Sequence, residues 1–141
     1  MTEPLDPTIA AARHALGLLS LDHDLLKDPV SLPVLDVDQA AWVLLELHIG
    51  SIAHGRAEPE AGMHLVIEEV FRPAFLGRAS GRRHYDSYDI DRLLAFQDSY
   101  DDIRRAEERN GVRDLRREQT DAQVILSAKE WMHRNATGRV Y

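Results

Sequence analysis

The 141-residue chain contains no cysteine. That absence removes disulfides, thiolate nucleophiles and cysteine-type zinc sites, so any metal would have to be held by histidine and carboxylate. Lysine is nearly missing as well: Lys27 and Lys129 are the only two among 17 basic residues, which leaves 15 arginines. Arginine offers a planar fork suited to carboxylate or phosphate, although genomic base composition produces the same skew. No apolar run is long. The most apolar stretch, AAWVLLELHIGSIA at 40–53, carries Glu46 and His48 and falls short of the roughly 20 residues that cross a bilayer. The opening residues, MTEPLDPT, place acids and prolines where a secretory signal has basic residues and an apolar core. A soluble, cytoplasmic protein with no membrane partner is the expectation. Also missing are a Ser-His-Asp order, a P-loop and a dinucleotide-binding glycine pattern.

What is present is ordinary in amount and biased in charge. Hydrophobic residues make up 44% and charged residues 29%, values close to globular averages. A chain of this size buries roughly 70% of the surface its unfolded form exposes, so one globular helical domain over 1–141 is expected. The net charge is −7. A field of that sign repels a phosphate backbone and disfavours duplex nucleic acid, while another protein, especially a basic one, would be attracted.

Periodicity predicts an all-α fold, a bundle of about five helices with short connections. Asp6-Pro7-Thr8 opens the first helix, which the apolar rows carry to about residue 27. Asp36 and Gln39 form a capping box for the second, about 38–54. Its composition places it at the centre of the core, and Gly55 ends it. The third helix starts at Glu58-Pro59 and buries the stripe Met63, Val66, Ile67, Val70 and Phe71, with Pro73 ending or kinking it. A short strand near 34–37 or 64–71 is the competing assignment, since HLVIEEVF is rich in β-branched and aromatic residues. Ile90, Leu93, Leu94, Gln97 and Tyr100 share one side of a fourth helix, about 89–109, stopped by Asn110-Gly111. Thr120 and Gln123 give a second capping-box pattern for a fifth helix, about 121–135, with Trp131 in its apolar face. Trp42 or Trp131, or both, are expected in the core.

Candidate sites follow from spacing. GRASGRRHYDSYDID (77–91) sets Arg78, Arg82, Arg83, His84, Tyr85 and Tyr88 among glycines and serines, residue types favoured at interface anchors. It is the expected binding loop, with one of the two tyrosines folding back beside Ile90. His64 and Glu68 lie at i, i+4, the interval that lets two ligands share a metal; Arg72, four residues after Glu68, offers a plain ion pair instead. On the apolar side of the second helix, His48 needs a buried partner, a backbone carbonyl or a carboxylate. Asp98, Asp101 and Asp102 form an acidic cluster in which Asp101 can reach Arg105.

Two residue pairs resemble motifs of known families. His23-Asp24, in LDHDLLKD, resembles the adjacent His-Asp pair of the HD-domain metal phosphohydrolases, and the resemblance implies a pair of metal ligands within a helical fold. It covers those two residues. Arg78 and His84 resemble the Arg-x(4–6)-His motif of the HEPN ribonucleases, which are also helical bundles. That resemblance implies an arginine stabilising the scissile phosphate and a histidine acting as acid or base.

Two functions are therefore open. One is a small acidic interaction or regulatory module that binds another macromolecule, in the manner of an immunity protein, antitoxin or assembly factor. The other is a metal-dependent hydrolase or ribonuclease-like enzyme built on His64 and Glu68, His23 and Asp24, or Arg78 and His84. No cofactor is expected, and a homo-oligomer is compatible with the composition.

Overall fold

The computed structural model describes residues 7–17, 35–76 and 88–135, and 84% of these are helical, in five helices without a strand. The competing strand at 64–71 is helix. At 34–37 the described residues, 35–37, are two irregular positions and the start of a helix.

The first helix, α1 (Pro7–Ala15), is shorter than its apolar rows suggest. Gly17 adopts φ 75°, a left-handed conformation that its missing Cβ permits, and its N–H closes onto the carbonyl of His14 at 3.0 Å. The helix stops there instead of continuing towards residue 27. The residues after Gly17, up to 34, lie outside the described ones.

α2 (Val37–Ala53) begins as its sequence predicts. The Asp36 carboxylate accepts from the Gln39 N–H at 2.7 Å, and the Gln39 side chain accepts from the Asp36 N–H at 3.1 Å. Ten of its 17 residues are buried, including Leu44, Leu45, Ile49 and Ile52. An apolar surface of that breadth has to be covered from several sides. Accordingly α2 packs against α1, against α3 (Pro59–Val66) and against α5 (Arg116–Asn135). α4 (Asp91–Asn110) lies against α5 and α3. Close packing of α2 on α3 depends on Gly62, where a Cβ would stand 2.4 Å from Ile52 Cγ1.

Past Val66 the helix does not end but widens. Ile67–Leu76 is a π-helix, which carries the chain through Pro73. Proline has no N–H to give to a helical ladder and disfavours a regular α-helix through its position; the chain passes it in π geometry, a local departure from the α-helix. The wider turn also redistributes the apolar stripe. Met63, Val66 and Val70 remain buried, while Ile67 and Phe71 are drawn partly to the surface. The π segment packs chiefly on α2 and less closely on α4.

Of the expected side of α4, Ile90, Leu93 and Tyr100 are buried while Leu94 and Gln97 are only half-buried, and the helix ends on Gly111 at φ 69°, whose N–H bonds the Glu107 carbonyl at 2.8 Å. The start of α5 differs from its sequence pattern by five residues. Asp114 supplies the cap, accepting from the Arg116 N–H at 2.8 Å, so the helix is already formed when it reaches Thr120. Thr120 is buried inside the helix and does not cap it. Trp131 is fully buried, and Trp42, half-buried, lies beside it with ring centroids 5.8 Å apart. No helix among the described residues is long and apolar enough to cross a membrane.

Candidate functional site

Where the π segment leaves α4, a groove opens. Two adjoining depressions, of about 410 and 460 Å3, share Gln97 and follow the seam between α3 with its π continuation and α4. At one end Ile67 and Phe71 face Leu94 and Ala95, with Asp91 and Asp98 beside them. At the other end Ala61, His64 and Leu65 lie opposite Arg104. Asp91, Leu94, Ala95 and Asp98 fall at i, i+3, i+4 and i+7, so they form one stripe of α4 with apolar residues in the middle and carboxylates at the ends.

The polar side chains that could carry chemistry are largely committed to holding the helices together. His48, 4% exposed, places Nε2 2.7 Å from Glu69 Oε1, and Arg13 Nε approaches the same oxygen at 3.2 Å. This junction ties α1, α2 and the π segment to one carboxylate. The His48 hydrogen bond, more than the Coulombic pull of His48 and Arg13, holds the Glu69 carboxyl below its ordinary range despite partial burial. His48 therefore has the carboxylate partner that its burial demands. Glu69 stands three residues after Val66 and seven after Gly62, on the buried face, and that placement in the sequence was the available sign of a partner for His48.

A second junction joins α3, α4 and α5. Arg117 grips Glu107 with two bonds, Nη2 to Oε1 at 2.7 Å and Nε to Oε2 at 3.0 Å. The same guanidinium reaches Glu60, which also pairs with Arg104 at 2.9 Å. Fork geometry of this kind is the strong form of ion pair. It lowers the Glu107 carboxyl to about 2, the Arg117 hydrogen bond being the main cause and the Asp114 N–H the next. Beside it, burial and a 2.6 Å hydrogen bond to Asp121 push the Tyr100 phenol well above its usual value.

A third junction closes the approach to α4. Tyr88 is fully buried; its hydroxyl donates to Asp38 at 2.8 Å and its carbonyl accepts from Trp131 Nε1 at 3.1 Å. It is the tyrosine expected to fold back near Ile90, and burial removes it from the set of surface contacts. Next to it Asp89 adopts φ 60°, which is uncommon outside glycine. Its carboxylate takes bonds from Arg134 at 2.7 Å and from Asn135 at 2.8 Å. Burial opposes the charge on Asp89, but these two donors outweigh it and lower its pKa.

The remaining sequence candidates separate by position. Arg78, Arg82, Arg83, His84 and Tyr85 lie outside the described residues, as do His23 and Asp24. His64 is exposed at the groove, while Glu68 is paired with Arg72 at 2.9 Å. Among the described residues no group of three or more His, Asp or Glu side chains gathers as metal ligands would. Asp101 pairs with Arg104 and not with Arg105; Arg105 takes Asp102 at 3.2 Å. An i, i+3 spacing brings these pairs together as readily as i, i+4 on a helix. No protein-family model matches the chain, and comparison with curated proteins and with solved structures likewise finds no match.

Proposed function

We propose that the protein is a non-enzymatic interaction module, a small acidic helical protein of the cytoplasm that acts by binding another protein, as immunity proteins, antitoxins and assembly factors do. The observation that supports this reading is the groove along α4, which leaves Ile67, Leu94 and Ala95 at an open surface between carboxylates. Apolar surface of this kind, rimmed by polar groups on a well-packed scaffold, is the usual form of a protein-binding patch. The net charge of −7 steers a basic partner towards it.

Reconstitution tests the reading. The chain is used as bait in its native cell extract, and each captured protein is purified and titrated against it by calorimetry. A saturable, stoichiometric complex that weakens as salt rises is the expected result. A purified chain that turns over a phosphodiester or nucleotide substrate and forms no stoichiometric complex would replace the binding module with an enzyme.

A further inference from the structure

We infer that the groove between the π segment and α4 receives an amphipathic helix whose apolar stripe is flanked by arginine or lysine. This rests on the interaction-module reading and adds a site and a partner chemistry to it. Three features of the groove support it.

The first is shape. From Asp91 to Arg104 the α4 wall of the groove spans 14 residues, about 20 Å at 1.5 Å per residue step. That is the length of a helix of nearly four turns. The two walls are themselves helical, so their side chains form ridges between which a third helix can lay its own. Binding by strand addition would need a sheet edge, and the described residues contain no strand.

The second is the order of side chains along the seam. The α4 wall presents Asp91, then Leu94 and Ala95, then Asp98. The complementary helix carries apolar anchors at i, i+3, i+4 and i+7 with cations on both flanks. The third is charge. Arg92, Arg104, Arg105, Arg116, Arg117 and Arg134 all pair with carboxylates, whereas among the described residues Asp91 and Asp98 have no ion-pair partner. With Glu58 on the opposite wall, which also has no ion-pair partner among the described residues, they are available to meet incoming cations. The net charge of −7 also opposes a second copy of the chain in the groove, because like-charged molecules repel at low ionic strength.

The probe is a fluorescein-labelled synthetic helix of about four turns, with leucines at the four anchor positions and lysines on the flanks, followed by fluorescence anisotropy at low ionic strength. Saturable binding is expected, with a loss of about tenfold on moving to high salt. Ala95 is exposed, so Ala95→Lys should leave the circular-dichroism spectrum and Tm intact. It should nevertheless weaken the peptide by about tenfold or more, because it places a charge under the leucines. The double variant D91N/D98N should weaken it at low salt and converge on the wild type at high salt. Equal binding of a peptide with glutamate in place of lysine, or an unchanged Kd for Ala95→Lys, overturns the proposal. So does a dimer in light scattering that Ala95→Lys dissociates, which would give the groove to a second copy. The reconstituted partner separates the two levels. A partner that binds Ala95→Lys as well as wild type removes the groove but keeps the module, whereas a wild-type chain that binds no protein removes the module itself.

Discussion

Gly62 shows how one missing atom sets the distance between two helices. In an exposed helix interior, replacing glycine by alanine gains roughly 1 kcal/mol through backbone entropy. At this position the new Cβ would stand 2.4 Å from Cγ1 of Ile52, a side chain with no exposed surface. Cγ1 is near the backbone and cannot swing aside as the tip of a flexible chain would. Overpacking of this sort costs about 1–3 kcal/mol, so the clash outweighs the propensity. Gly62→Ala should therefore lower the midpoint of chemical denaturation, and adding Ile52→Val should restore part of the loss, because it keeps Cγ1 but removes the Cδ1 that would stand 2.6 Å from the new Cβ. A midpoint raised by Gly62→Ala would mean that α2 and α3 do not approach this closely.

Among the elements, the junctions between helices explain more than the helices themselves. α1 and the π segment are tied to α2 through Glu69, whose carboxyl is held below its ordinary value near 4.5 chiefly by the His48 hydrogen bond. A carboxyl with a depressed folded pKa contributes stability that is present above that ordinary value and lost as pH falls through the folded one. Glu69→Gln should thus be less stable than wild type at neutral pH. The difference should shrink as pH drops below about 4.5 in denaturation series, because both proteins then carry a neutral group. A constant difference across that range would show that Glu69 acts by packing alone. The start of α5 offers a separate test. Asp114→Ala should lower Tm by removing the acceptor for the Arg116 N–H. Gln123→Ala should leave Tm unchanged, because Gln123 is exposed in the helix interior and takes no part in a cap. The reverse order would return the N-terminus of α5 to Thr120.

For the molecule as a whole, alkaline pH opposes the α4–α5 packing. Burial, reinforced by the Asp121 hydrogen bond, raises the Tyr100 pKa above its ordinary value of 10. A raised folded pKa contributes stability that is complete below the unfolded value and lost as pH rises through the folded one. Ultraviolet titration should therefore contain a tyrosine that ionises only together with loss of the helical circular-dichroism signal. In Tyr100→Phe that step should be gone and alkaline unfolding shifted to higher pH. Ionisation of Tyr100 with the helices intact would show that water reaches the phenol.

The helical class, the capped start of α2, its central position and the stop at Gly111 were legible in the residues because each depends on neighbours within one turn or on the breadth of one apolar face. Gly17 was legible in type but not in effect: the apolar rows run past it, and only the adopted φ of 75° shows where α1 stops. His48 was marked by burial, yet its partner lies 21 residues away on another element, and which carboxylate it meets depends on how α2 and the π segment pack. Tyr88 reads as part of a polar loop until Asp38, 50 residues away, and Trp131, 43 residues away, draw it into the core. The groove is further still from the sequence. A regular α-helical stripe would have grouped Ile67 and Phe71 with the buried Met63 and Val66, whereas in the π segment they stand half-buried at the edge of the groove. Local hydrogen bonds and periodicity are encoded within a few residues of each other; the pairing of helix faces, and the surface left open where they part, follow only once every helix competes for the same buried space.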